Sequence, residues 1–269
     1  MANNRESGKR TALVTGAGGG IGLELARLLA ADHHDLVLVG RGRERLESVA
    51  DEFRQQHRVM VRVESWDLSE PRAGSRLWGH LSSAGVSVDI LVNNAGSGLY
   101  GLVAEQDPDE LDRLLQLNIG ALTALTRLAL PAMLERRWGR ILNVASVVGY
   151  QPGAPRMAAY YASKAYVLSF SRSLALEVKG SGVSVTTLVP GPTETAFDDR
   201  ARAGDEVLFK RLPKSSPVAV ARAGYAGMMG QSAVVIPGLL TKLLAFSGEL
   251  PPRRIALEVN RMLWKPRGP

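Results

Sequence analysis

No cysteine occurs among the 269 residues. Disulfides, thiolate nucleophiles and sulfur-ligated metals are therefore excluded, and the composition suits a reducing, cytoplasmic setting. Histidine is nearly as scarce: His33 and His34 adjoin at a helix end or loop, and His57 and His80 stand alone in polar stretches. Isolated imidazoles do not make a metal-ligand spacing, so all four are expected at the surface and no metal is expected. No stretch approaches the length of a membrane span. No internal repeat is visible, and no Pro/Ser-rich linker or shift in composition divides the chain. The first ten residues are polar and lack an apolar run, so residues 1–9 are expected as a disordered tail. Basic residues outnumber acidic ones by 33 to 26, a formal charge of +7 that favours anionic partners. They are scattered and carry no recognised binding motif, which argues against nucleic acid and leaves a phosphorylated small molecule as the candidate.

What is present is a hydrophobic content of 45%, enough for one large core. Short β-prone runs alternate with helical stretches. Strands are expected at Thr11–Thr15, Asp35–Val39, Val59–Glu64, Asp89–Asn93, Arg140–Ser146, Val183–Val189 and Val234–Ile236. Helices are expected at Leu23–Ala31, Glu44–Gln55, Asp109–Arg136 and Ala158–Lys179, the third with an apolar stripe through Leu111, Leu114, Leu115, Leu122 and Leu125. That alternation implies an α/β fold: a doubly wound parallel sheet with right-handed crossovers, in a single domain.

Two local patterns carry chemistry. The first strand runs into Gly16-Ala17-Gly18-Gly19-Gly20-Ile21-Gly22 and then a helix. Glycines there let the backbone turn tightly and approach a pyrophosphate, while the helix N-terminus attracts its charge. The second is Tyr160-Tyr161-Ala162-Ser163-Lys164. A phenol and an ammonium four apart share one helix face, and a cation beside a phenol lowers its pKa from about 10. Ser146 follows the apolar run Ile141–Ala145 and so sits at a strand end, where open α/β sheets hold ligands. Tyr161 is rotated away from Tyr160 and has no lysine four residues on, which makes it an internal control.

Thr15-Gly16-x-x-x-Gly20-Ile21-Gly22, with Asn93-Asn94-Ala95-Gly96, Asn118, Ser146, Tyr160-x-x-x-Lys164 and Pro190-Gly191, resembles the short-chain dehydrogenase/reductase family in order and spacing, from about Lys9 to about Gly238. The resemblance implies a Rossmann-like domain, a nicotinamide cofactor and hydride exchange with a small carbonyl or alcohol substrate. It implies that Tyr160 is the general acid/base, that Ser146 bonds the substrate oxygen, and that Lys164 lowers the tyrosine pKa and bonds the cofactor ribose. Asn118 would position a water for proton relay, the plain alternative being a buried amide that satisfies backbone groups. Gly16, Gly18, Gly20, Ile21 and Gly22 would cradle the pyrophosphate. Asn94, Ala95 and Gly96 would lie against the adenosine half. Asp67, followed by Leu68, would accept the adenine amino hydrogen or else cap a helix. Pro190, Gly191, Thr193 and Thr195 would fix the carboxamide. The loop from Ser146 to Tyr160 is one residue longer than is usual in the family, and Tyr150 and Met157 there face substrate or pack beneath the loop.

The end of the second strand reads Val39-Gly40-Arg41-Gly42-Arg43, with no carboxylate for a ribose hydroxyl. Arg41 there can pair with a 2′-phosphate, which favours NADP(H) over NAD(H). The basic residue often found inside the family's glycine turn is missing, its place taken by Gly19. The main domain is expected over residues 10–237, with a substrate lid over 197–216 that carries Arg200, Arg202, Lys210, Arg211 and Lys214. Residues 238–269 form an amphipathic extension, for which internal or subunit packing is favoured over contact with an anionic membrane. The family implies a homodimer or homotetramer. A reductase of fairly apolar ketones, aldehydes, 3-ketoacyl thioesters or hydroxysteroids leads. An epimerase or dehydratase on the same scaffold, or a cofactor-binding regulator without turnover, are the alternatives.

Overall fold

In the computed structural model, which describes residues 9–195, 197, 212–249 and 252–265, seven parallel strands lie in one sheet. They are β1 (Thr11–Thr15), β2 (Asp35–Gly40), β3 (Val61–Ser65), β4 (Ile90–Asn93), β5 (Gly139–Val144), β6 (Val183–Leu188) and β7 (Val234–Val235), in the order β3-β2-β1-β4-β5-β6-β7. Each crossover carries the chain over one face, so both faces are covered and the strands read as nearly unbroken apolar runs. Successive side chains then serve opposite layers. Ala12 and Val14 join Leu38, Val92 and Leu142 beneath helices α1 (Gly20–Ala31) and α2 (Arg43–His57). Leu13 joins Val37, Leu91 and Ile141 beneath α3 (Ala73–Ser83). The strand order reverses between β1 and β4, which pair in parallel at Val14 and Val92. A reversal of this kind opens a crevice at the carboxyl ends of the strands.

The helix expected over Asp109–Arg136 is three pieces: α4 (Pro108–Leu115), a π-helical stretch Gln116–Ala121, and α5 (Leu122–Glu135). Asp107 caps its start, accepting from the Asp109 N–H at 2.9 Å. Together Pro108–Glu135 is long and apolar enough, by length and composition, to cross a membrane. The expectation that no stretch reaches that length is therefore corrected, although its Leu114, Leu122, Leu125, Ala129 and Met133 pack into the cores of this domain. Helix α6 (Ala158–Glu177) follows β5, α7 (Pro217–Met229) packs against α1, and α8 (Leu239–Glu249) and α9 (Arg253–Leu263) end the chain. Strand ends shift by one or two residues from the sequence reading, and α3 and α7 were not anticipated. Helix α3 is short and carries its apolar face on only Ala73, Leu77 and Leu81.

One histidine departs from expectation. His34 is buried, its Nδ1 accepting from the Arg10 N–H at 3.3 Å, and burial lowers its pKa. The expected tail up to residue 8 and most of the expected lid, including Arg200, Arg202, Lys210 and Arg211, lie outside the described residues.

Candidate active site

The glycine turn after β1 is built around Asn94. Its Nδ2 donates to the carbonyls of Thr15 (3.0 Å) and Gly16 (3.2 Å). The Thr15 hydroxyl accepts from the N–H groups of Asn94 and Ala95, both at 3.0 Å, and donates to the Val92 carbonyl. The ends of β1 and β4 are thus stapled at the switch point. Gly16 and Gly20 have φ of +68° and +56°, values that favour glycine. At Gly22 a Cβ would lie 2.3 Å from Asn94 Nδ2 and 2.4 Å from the Gly16 carbonyl oxygen, whereas at Gly19 it would meet nothing within 4 Å. Gly22→Ala is therefore expected to lower stability by about 1–3 kcal/mol through overpacking, and Gly19→Ala to stay within about 0.5 kcal/mol of the parent. Urea unfolding of the two variants checks this contrast.

Helix α1 begins at Gly20 with no side-chain cap and no acidic residue in its first turn. Its orphan N–H groups and positive dipole end face the space beside Gly18 and Gly19 and suit a phosphate. The exposed Arg45 donates through Nε to the Gly18 carbonyl at 3.1 Å, and the exposed Arg41 follows β2, its carbonyl accepting from the Ser65 hydroxyl. Arg45 was missed from the sequence, where it reads as an ordinary polar helix residue. Asp67 caps no helix; its Oδ1 instead closes a turn, accepting from both the N–H (3.0 Å) and the hydroxyl (2.6 Å) of Ser69. Burial raises its pKa, but those bonds and the charge of Arg41 outweigh it and hold the carboxyl below its usual value. The Leu68 side chain is buried in the core, so only its backbone is available to a ligand.

At the other end of the crevice, the Val147 N–H donates to the Pro190 carbonyl at 2.9 Å, tying the end of β5 to the segment after β6. Thr193 Oγ1 donates to the Gly191 carbonyl at 2.9 Å. Thr195 reaches back across the crevice, its Cγ2 2.9 Å from where a Cβ on Gly20 would stand. The residues read as holding the two halves of a dinucleotide therefore line one crevice.

The chemical centre lies between these halves. Ser146 follows β5 and caps the short 3-10 turn Val147–Tyr150, its Oγ accepting from the Val148 N–H at 3.4 Å. Tyr160 and Lys164 occupy the first two turns of α6. Lys164 is buried, its Nζ 6.0 Å from the Tyr160 ring centroid and donating to the Val144 carbonyl at 3.0 Å. A Cβ on Gly96 would come within 3.3 Å of both Lys164 Nζ and Asn118 Oδ1, so a glycine makes room for the ammonium. Among the described residues no carboxylate pairs with Lys164, and burial pulls its pKa down to about 8.

Asn118 sits in the π-helical stretch, a distortion that often marks functional sites. Its Oδ1 accepts from the Ser97 N–H (2.9 Å), and its Nδ2 donates to the Ser97 carbonyl (2.9 Å) and the Ser163 hydroxyl (3.0 Å). Ser163 in turn donates to the Tyr160 carbonyl at 2.7 Å. The side chain thus locks the loop after β4 to the helix bearing Tyr160. A second buried network runs from Asn93 Nδ2 to Thr126 Oγ1 and Asn143 Oδ1, and from Asn143 Nδ2 to Ser171 Oγ, each at 2.9 Å. Ser163 and this network were missed, because polar residues inside apolar runs give no sign of which partners they meet.

Tyr161 is buried, and its hydroxyl accepts from Trp264 Nε1 at 2.8 Å. Burial raises its pKa far above the ordinary phenol value. Tyr150 and Met157 both pack beneath the loop: Met157 is buried, and the Tyr150 hydroxyl accepts from Arg172 at 2.6 Å. The ring of Phe197, the one described residue of the early lid, lies 5.2 Å from that of Tyr160.

The family model described as short chain dehydrogenase matches residues 10–206. Nodulation protein G of Rhizobium sp. (strain N33) is 40% identical over 192 residues, covering 71% of this chain and 76% of that protein. A short-chain dehydrogenase from Sphingobium yanoikuyae in complex with NADPH superposes with a TM-score of 0.79 at 33% identity, covering 89% and 92% of the two chains. A bulky-bulky ketone specific alcohol dehydrogenase from Comamonas testosteroni superposes with a TM-score of 0.74 at 29% identity, covering 90% and 95%.

Proposed function

Because the chain belongs to the short-chain dehydrogenase/reductase family, we propose that it is an oxidoreductase that interconverts a fairly apolar ketone or aldehyde and its alcohol, with NADP(H) as cofactor. The observation that carries the reading is the buried Lys164 ammonium on the same face of α6 as Tyr160, without a carboxylate partner among the described residues. A cation held there stabilises a phenolate more than a phenol, which suits Tyr160 to give and take a proton near neutral pH. When bound, the nicotinamide supplies or accepts the hydride. In the reductive direction Ser146 donates a hydrogen bond to the carbonyl oxygen, Tyr160 delivers its proton to that oxygen, and Lys164 stabilises the phenolate that remains. Asn118, through Ser97 and Ser163, positions the elements that carry these groups.

The uncapped start of α1 and the open side of Gly19 fit the cofactor pyrophosphate. Arg41 and Arg45 offer charge to a 2′-phosphate, and no acid ends β2. The NADPH complex of the Sphingobium relative supports this choice. Arg41→Ala and Arg45→Ala are each expected to weaken NADPH binding about tenfold, with NADH binding changed little. Titration by nicotinamide fluorescence decides, and equal losses for both cofactors would refute the assignment. The bulky-ketone relative supports an apolar substrate. We also place the protein in the cytoplasm as a homo-oligomer. The exposed Leu134 and Leu176 of α5 and α6 are consistent with subunit contact.

The test is NADPH oxidation against ketones, aldehydes and 3-ketoacyl thioesters, with NADH in parallel. Turnover of an apolar carbonyl supports the reading. NADPH binding with no turnover across the panel rejects it in favour of a regulator.

A further inference from the structure

The last two helices invert the usual arrangement of a surface helix. Their small or polar residues face inward: Thr241 seats on Gly191, Gly248 lies against the Tyr150 carbonyl, and Asn260 donates to the Gly153 carbonyl at 2.8 Å. Apart from Leu244 and Leu263, which pack on the core, their large apolar residues face out. Leu239, Leu243 and Phe246 on α8, and Ile255, Val259 and Met262 on α9, recur at i, i+4 and i+7 and are each 45–75% exposed. Among the described residues, half of all exposed large hydrophobics fall within these two helices. Such a concentration marks an interaction surface.

The charges around it select the partner. Residues 238–269 hold six lysines and arginines against two glutamates, more than half of the chain's excess positive charge. Lys242, Arg254, Arg261 and Lys265 are exposed, while Glu249 and Glu258 are paired with Arg172 and Arg261. Docking onto a second copy about a two-fold axis would set this basic patch against itself. An anionic lipid surface instead receives the apolar side chains at the headgroup boundary and pairs with the basic ones. We propose that the outer face of α8 and α9 docks the protein peripherally on anionic membranes. The inward ties hold both helices on the domain, through Trp264 to Tyr161 and through Gln151 Nε2 to the Leu244 carbonyl at 2.5 Å. Docking therefore uses a preformed surface and requires no release of the extension. The proposal does not depend on which reaction the crevice performs.

Flotation of the full-length protein with vesicles tests it, using phosphatidylcholine alone and phosphatidylcholine mixed with phosphatidylglycerol. The protein is expected to float with the mixed vesicles and to stay behind with phosphatidylcholine. Phe246→Glu/Ile255→Glu and Lys242→Glu/Arg254→Glu should each cut the floated fraction at least about tenfold, with melting temperatures unchanged because these side chains are exposed. Absence of flotation with the mixed vesicles overturns the proposal, as does flotation undiminished in both variants. A dimer in light scattering that Phe246→Glu/Ile255→Glu dissociates, without lipid binding, assigns the face to a second copy and overturns it too.

Discussion

Tyr160→Phe is expected to lower carbonyl turnover by about 10²–10⁴-fold, the range for loss of a positioned acid/base, while cofactor binding and stability stay near those of the parent. Removing one oxygen leaves the ring contact with Phe197 and the packing of α6 in place. Tyr161→Phe should give the opposite pattern. The Tyr161 hydroxyl already accepts the Trp264 indole N–H, and burial keeps the phenol protonated throughout the working range. It is therefore unsuited to proton transfer. Its loss leaves a buried indole N–H without an acceptor, a cost of about 1–3 kcal/mol, and loosens the hold of the C-terminal extension on the core. Steady-state NADPH oxidation and urea unfolding, run on both variants, separate the two. Comparable losses of turnover in both would remove Tyr160 from its role.

The contrast shows what the sequence makes legible and what it hides. Glycines with positive φ, a strand-turn-helix start and Tyr and Lys at i and i+4 are local features, and each is visible as a spacing in the chain. The parallel sheet follows from the alternation of strands and helices, since strands covered on both faces are largely apolar. The partnerships were not legible. Asn118 reads as unfavourable inside a helix, yet a π-helical stretch turns it toward Ser97 and Ser163, 21 and 45 residues away. Trp264 lies 103 residues from Tyr161, and nothing in either neighbourhood signals the other. Arg45 reaches the glycine turn only because α2 starts where it does. Tyr150 had two readings in the sequence, and its burial and bond to Arg172, 22 residues on, place it beneath the loop.

Lys164→Met is expected to abolish efficient turnover and, in the cofactor-free protein, to raise stability at neutral pH. Burial pulls the Lys164 ammonium from 10.5 to about 8, so at pH 7 it is held charged where water cannot solvate it. That difference corresponds to about 3 kcal/mol. The carbonyl of Val144, which accepts from Nζ, would lose its partner and return about 1 kcal/mol of the gain. The sign follows from proton counts. Between pH 8 and 10.5 the unfolded chain keeps its proton on this lysine while the folded chain has released it, so folding stability rises with pH across that window. Below pH 8 both states are protonated and the penalty is present in full. Methionine, similar in length and apolar, carries no such penalty. Its advantage over the parent should be about 1–3 kcal/mol at pH 7 and shrink towards zero as the pH approaches 10. Urea unfolding of both proteins at pH 7 and pH 9.5 measures it. A variant less stable than the parent at pH 7 would mean that the ammonium is compensated where it sits, and a strained cation poised to meet a phenolate would then have to be given up.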